Sequence, residues 1–270
     1  MFATSEFGRA FARVGNLLCL STVLRAGAAA AAMAALSASI LSGSVSIVST
    51  QETVFDPASE AAAPAPLVKA DGAPFRVGIQ AGHWKTNELP SELASLRTAT
   101  GAAGLGWREV DINLVVARRV VALLGQSGVQ ADLLPATVPE GYKADAFVAL
   151  HGDANGNTAA SGYKAARATA SRIPEEDDAL VQAVKAAYQA ATGLTDHPQT
   201  ITQNMRAYYA FNNRRLTHAV DPNTPAIILE MGFLTNRSNR TLLMQQPDLV
   251  AKGVAEGILK YLHETRDGMA

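Results

Sequence analysis

Four residues stand at the ends of short apolar segments and have side chains able to bind a metal or move a proton: His83, Glu109, His151 and Glu230. His151 closes the run Phe147-Val148-Ala149-Leu150 and is followed by the small, turn-forming residues Gly152-Asp153-Ala154-Asn155. A run that short reads as a buried strand handing its last side chain to a loop. Phe75 to Gln80 leads in the same way into Gly82 and His83, and Ala226 to Leu229 leads into Glu230. Ligands in open α/β sheets sit at the carboxyl ends of the strands, so these ends are expected to converge on one site.

Two imidazoles and one carboxylate suit a zinc ion and leave a fourth position open for water. One carboxylate leaves residual positive charge at such a site, which lowers the pKa of a coordinated water to about 7. On this reading His83, Glu109 and His151 hold one zinc ion. Glu230 is then a general base rather than a ligand, taking a proton from the water and passing it to the leaving group. The intervals between the four residues are 26, 42 and 79, with no local metal motif among them. Each residue therefore also has a structural reading. A histidine at a strand end is commonly a satisfied structural residue. Glu109 suits the first turn of a helix as an acid favoured by the dipole. Glu230, costly to bury unpaired, would be a structural ion pair with Arg214 or Arg215. His197, His218 and His263 lie in polar or helix-end settings and attract no role.

The elements that must position these residues follow from periodicity. The first strand is Phe75 to Gln80. The segment from Trp84 to Gly106 is polar, Gly-rich and aperiodic, so it reads as a long functional loop with a helical turn near Ser91 to Thr98. Ile112, Val115, Val116, Val120, Leu123 and Leu124 then fall on one helical face, with Glu109 in the first turn and Gly125 or Gly128 as the stop. Strands follow at Val129 to Leu134 and Ala146 to Leu150, with a further one expected within Ser161 to Thr169. Pro174 and the acids after it open a helix that Gly193 stops. Thr195 to Asp221 is polar and irregular, Ala226 to Leu229 is the last core strand, and helices are expected over Ser238 to Gln245 and Pro247 to Leu262. Strands alternating with helices make the domain α/β.

The remainder of the chain bounds its setting. Its 270 residues are 48% hydrophobic and carry a net charge of −1, without a basic stripe interleaved with aromatics, which argues against nucleic acid as a partner. Cys19 is the only cysteine, so an internal disulfide is excluded. Residues 1–48 begin with Arg9 and Arg13 and continue through the apolar run Val14 to Leu24 and the uncharged stretch Ala26 to Val48. That pattern is an export signal or a retained membrane anchor, and the weakly hydrophobic Ala/Ser/Gly composition favours the cleaved signal. Residues 49–73 are Ala/Pro-rich and read as a linker, leaving 74–265 as the catalytic domain.

The residues resemble the zinc-dependent N-acetylmuramoyl-L-alanine amidases of the bacterial cell wall, over about Phe75 to Leu262. Pro225-Ala226-Ile227-Ile228-Leu229-Glu230-Met231-Gly232-Phe233-Leu234-Thr235-Asn236 looks like the signature around that family's catalytic glutamate. His83 after a strand and glycine, Glu109-Val110-Asp111-Ile112-Asn113-Leu114 and His151-Gly152-Asp153-Ala154-Asn155 are similar to its three zinc-ligand segments. The resemblance implies one three-layer α/β domain, a central mixed sheet flanked by helices as in amidases and zinc carboxypeptidases. It implies hydrolysis of the amide between N-acetylmuramic acid and L-alanine in peptidoglycan, in the periplasm or outside the cell. No activator is assigned. Two departures stand out: Trp84-Lys85 follow His83 where the family often has glycine, and only Pro135 to Asp145 separates two strands where the family has a longer segment with an arginine motif and a helix. The rival readings are a zinc peptidase acting on stem peptides and a non-catalytic wall-binding module.

Overall fold

The computed structural model describes residues 66–104 and 106–268. The expected signal or anchor and most of the expected linker lie outside these residues. No helix among them is long and apolar enough to cross a membrane.

A five-stranded sheet organises the domain. Its strands are β1 (Arg76–Ala81), β4 (Gln130–Leu134), β5 (Ala146–Asp153), β6 (Lys164–Arg167) and β7 (Ala226–Phe233), in the order β4-β1-β5-β7-β6. A two-stranded ribbon, β2 (Ala103–Gly104) and β3 (Trp107–Arg108), stands apart. The ladders β4-β1, β1-β5 and β5-β7 are parallel and β7-β6 is antiparallel, so the sheet is mixed, as expected. The central strands are apolar on both faces, as parallel strands covered on both sides must be.

The two faces are covered differently. Val77, Ile79, Val148, Leu150, Ile227 and Leu229 point to a large core beneath three helices, α1 (Glu109–Gln126), α2 (Pro174–Thr192) and α5 (Pro247–Gly268). Ile112, Val116, Val120 and Leu124 recur at helical spacing and face this core. Val115, expected on the same face, is instead exposed because its neighbour Val116 takes the inward position. The helix stops before Gly128, whose φ of +80° closes it, and Gly193 at φ +69° ends α2 in the same way. Gly253 and Gly257 let α5 approach the α2 backbone, where a Cβ on Gly257 would stand 2.5 Å from Val184 Cα.

On the other face, Phe147, Ala149, Ala226 and Ile228 pack under residues Met205, Tyr208, Ala210 and Val220. This layer holds no long helix. It consists of single turns at Pro198–Thr200 and Tyr209–Phe211 and the four-residue helix α3 (Gln203–Arg206). The trimmed connection Pro135 to Asp145 carries no helix either. The third layer of the sandwich is therefore the segment that periodicity identified only as irregular.

The domain also begins earlier than residue 74. Leu67 is 4% exposed within the main core, its amide donates to Ser127 O at 3.0 Å, and Val68 bridges to Pro74. The last eight residues assigned to the linker thus belong to the fold. The final helix runs on to Gly268, past the expected stop at Leu262.

Candidate metal centre and active site

The turn after β1 presents the first ligand. Gly82 N–H donates to Leu150 O at 2.9 Å, which holds the turn against β5. A Cβ on Gly82 would lie 2.4 Å from the His151 ring, so only glycine lets the chain pass there. His83 then takes a φ of +64°, a backbone that costs an L residue about 1–2 kcal/mol. Strain of this kind persists where the surroundings over-determine it, typically at functional sites. The His83 ring donates through Nδ1 to Ala99 O at 2.6 Å, which leaves Nε2 facing Glu109 Oε1 at 3.2 Å.

Glu109 is the first residue of α1 and is 4% exposed. Its Oε2 accepts from Ala102 N–H at 2.8 Å. Its Oε1 accepts from Asn113 Nδ2, one helical turn on, and from Gly152 N–H, each at 3.2 Å. The β5-β7 register shifts between His151 and Asp153, and this irregularity turns the Gly152 amide toward the carboxylate. His151 lies inside β5 rather than beyond it, and its Nδ1 stands 3.1 Å from Glu109 Oε1.

The three residues offer ligand atoms that lie within 4.8 Å of one another. At metal–ligand distances of about 2.0–2.1 Å, the ligand atoms of a tetrahedral zinc site stand roughly 3.3 Å apart. The 3.2 Å and 3.1 Å separations of His83 Nε2 and His151 Nδ1 from Glu109 Oε1 fit that spacing. The second ring nitrogen of each histidine is tied down elsewhere, as in outer shells of metal sites. Protonation agrees with the donor set at Glu109 and His151, whereas at His83 burial acts to lower the imidazole but the hydrogen bond and charge of Glu109 outweigh it and raise it. Burial acts to raise the Glu109 carboxyl, but hydrogen bonds and charge from His151 and His83 outweigh it and hold the group well below the usual carboxylate range. Burial pushes His151 down, toward the neutral imidazole that binds metals.

Glu230 occupies the next strand. It pairs in register with His151 across the β5-β7 ladder and with Lys164 across the β7-β6 ladder. The expected alternative, an ion pair with Arg214 or Arg215, does not form: among the described residues Glu230 Oε2 is buried and has no hydrogen-bond partner. Lys164 is buried beside it, yet its ammonium is committed to Asp153 Oδ2 at 2.6 Å and Thr200 O at 2.8 Å. Burial and the negative charges of Glu109 and Asp153 push the Glu230 carboxyl well above the usual range, against a smaller opposing effect of Lys164. Such a group exchanges a proton nearer neutrality than a free carboxylate does.

A cavity of about 370 Å³ opens over His83 and His151. One wall comes from the loop after β1, through Thr86, Leu89, Leu96 and Ala99, and the other from Asn204 and Ala207 to Tyr209. The loop from Trp84 to Gly106 thus has the functional placement its length suggested, and its helical turn lies at Ser91–Leu96. The signature after Glu230 is largely architectural. Asn236 Oδ1 accepts from Asn239 N–H and caps α4 (Arg237–Gln245), while Thr235 Oγ1 accepts from Asn155 N–H and ties the loop after His151 to the loop after Glu230. Sequence reasoning missed Gln80, Lys164 and Tyr208, which border the site. No local pattern marks them, since Gln80 lies within β1, Lys164 opens the short β6 and Tyr208 lies in an aperiodic segment.

A mixed α/β sheet with a two-histidine, one-carboxylate cluster that could hold a metal ion, beside a glutamate with a buried unpartnered oxygen, is an arrangement suited to hydrolysis. The family model described as N-acetylmuramoyl-L-alanine amidase matches residues 77–260, and the chain belongs to that family. Its reaction is hydrolysis of the amide between N-acetylmuramic acid and L-alanine in peptidoglycan. The protein is therefore an enzyme, and the peptidase and wall-binding readings give way to the amidase. Solved structures share the fold. The catalytic domain of the amidase CwlV from Bacillus (Paenibacillus) polymyxa var. colistinus is 24% identical with a TM-score of 0.50, over 70% of this chain and 98% of that one. The amidase from Clostridium difficile 630 is 21% identical with a TM-score of 0.50, over 70% and 97%. The apo amidase from Mycobacterium abscessus is 18% identical with a TM-score of 0.51, over 70% and 98%. No curated protein matches the sequence.

Proposed function

We propose that a single zinc ion held by His83 Nε2, Glu109 and His151 Nδ1 supports the amidase reaction, with Glu230 moving the proton. The observation that carries this reading is the convergence of three ligand atoms beside a glutamate whose Oε2 has no partner. Zinc in such a site supplies Lewis acidity and a water of lowered pKa. The chain's own groups do the rest. Glu109 brings the one negative charge of the ligand set, and the amides of Ala102 and the Asn113 side chain fix its carboxylate plane. Glu230 Oε2 takes a proton from the attacking water and returns it to the amide nitrogen, so that L-alanine leaves as a neutral amine. Leu89 and Leu96 line the cavity with apolar surface and limit bulk water around the reacting bond.

A peptidoglycan substrate supports the envelope or periplasm as the site of action, and with it the reading of residues 1–48 as an export signal or anchor. Metal analysis of the purified protein, before and after chelation, tests the zinc proposal. One zinc per chain, with activity lost on removal and restored by zinc, is expected. Full activity in metal-free protein contradicts it.

A further inference from the structure

A chain of hydrogen bonds runs from the backbone after β4 to the second face of the His151 ring. It starts at Gln80, which is fully buried in β1. Gln80 Nε2 donates to Ala136 O at 3.0 Å and to Pro135 O at 3.3 Å. Two carbonyls can only accept, so they settle which end of the amide points where: the NH2 faces them and Oε1 faces away. Tyr208 OH donates to that oxygen at 2.8 Å. A phenol has one proton, and Gln80 Oε1, whose NH2 is turned to the two carbonyls, takes it in the shortest contact Tyr208 OH makes; toward His151 Nε2, at 3.0 Å, the tyrosine oxygen therefore accepts. Tyr209 OH, whose own proton goes to Ala136 O at 2.6 Å, can only accept from Tyr208 OH and Gln80 Nε2, and at 3.3 Å and 3.2 Å it is a longer contact than the 2.8 Å bond from Tyr208 OH to Gln80 Oε1.

We infer that Gln80 and Tyr208 are positioning residues that assign the tautomer of His151: Nε2 carries the proton and Nδ1 is the metal-binding nitrogen. This rests on the proposed metal centre and deepens it. His83 shows the reverse assignment, because Nδ1 donates to Ala99 O and Nε2 faces Glu109. The two histidines therefore present opposite ring nitrogens to one point, each fixed from behind by an acceptor of different origin. The same chain of bonds pins the irregular segment that carries Tyr208 to β1 and to the loop after β4, so that one wall of the cavity and the orientation of a ligand are set together.

The test uses the full chain with isotopically nitrogen-labelled histidine, loaded with the NMR-active isotope of cadmium in place of zinc. Cadmium–nitrogen coupling to His151 Nδ1 is expected. Coupling to Nε2 overturns the inference, whereas no coupling to His151 at all removes the ligand itself, and the inference falls together with the metal centre. Tyr208→Phe keeps the ring and deletes only the acceptor. It is expected to weaken zinc binding about 10- to 100-fold, the range for lost outer-shell partners. Tyr163→Phe, which deletes a hydroxyl bonded to Lys185 O under the opposite face, serves as the folding control and is expected to leave zinc affinity unchanged. Wild-type zinc affinity in Tyr208→Phe, or an equal loss in Tyr163→Phe, contradicts the assignment.

Discussion

His151 and Glu230 are partners in register on two parallel strands, and their side chains point to the same face of the sheet. Adjacent strands stand about 4.8 Å apart, so the ladder itself sets the spacing between the proposed metal ligand and the proposed proton-moving group. Neither loop length nor side-chain flexibility has to be tuned to hold them together. The division of labour between the two residues then comes from their surroundings. His151 is hydrogen-bonded through both ring nitrogens, whereas Glu230 keeps one oxygen without a partner.

Glu230→Gln separates the two roles. The amide retains the shape but cannot take a proton, so turnover is expected to fall by about 10²- to 10⁴-fold, the usual contribution of a positioned acid–base group. Zinc content is expected to stay at the wild-type level. Loss of zinc in this variant would identify Glu230 as a ligand.

His83→Ala removes a proposed ligand instead, and zinc and activity are expected to disappear together. Equilibrium dialysis against zinc, alongside the amidase assay, checks this. An active, zinc-bound variant would place the centre elsewhere.

Gly82→Ala tests the close passage of the chain over His151. The added methyl would collide with a ring held on both sides, so the cost is expected to be about 1–3 kcal/mol of stability, as for other overpacked sites, with zinc affinity reduced as the ring shifts. Thermal melts with and without zinc read both effects. An unchanged zinc affinity would show that the ring can yield.

Glu92 fastens the loop after β1 to the Thr217–His218 turn, accepting from both of their amides at 3.1 Å and 2.8 Å. These hydrogen bonds lower its pKa from 4.5 to about 2. A carboxyl depressed in the folded state stabilises fully above its unfolded pKa and loses that contribution as pH falls through the folded one. Wild type is therefore expected to exceed Glu92→Gln in stability above about pH 4.5, with the gap closing toward pH 2. Denaturant titrations across this range check the sign; a gap that widens on acidification would contradict it.

Leu67→Ala tests where the domain begins. Truncating a buried leucine in the main core is expected to cost about 2–5 kcal/mol, read as a shift in the denaturation midpoint. A neutral result would return residues 66–73 to the linker.

What the sequence discloses follows from where local signals exist. The strands that carry His151 and Glu230, the helix opened by Glu109 and the stop at Gly193 all carry periodicity or turn chemistry and are found where expected, except that both strands continue past the expected ends, to Asp153 and Phe233, because ladder pairing and not the apolar run sets where they stop. The inward choice between Val115 and Val116 depends on the exact rotation of α1 against the sheet, which a window of apolar residues leaves open. Leu67 sits among Ala and Pro and looks like linker, because its burial depends on a groove made by distant residues. Tyr208 is the sharpest case. It reaches His151 directly from a segment without period, 57 residues away in the chain, and its hydroxyl is held by Gln80 of β1, which is farther still.

The central claim is metal-dependent cleavage of the bond between N-acetylmuramic acid and L-alanine by this site. The most direct test is to incubate the full-length protein with peptidoglycan, with and without a zinc chelator, and to identify the new ends by mass spectrometry. The account predicts intact stem peptides with a free L-alanine amine, absent on chelation and restored by zinc. Cuts within the stem peptide, or the same products in the absence of metal, would contradict it.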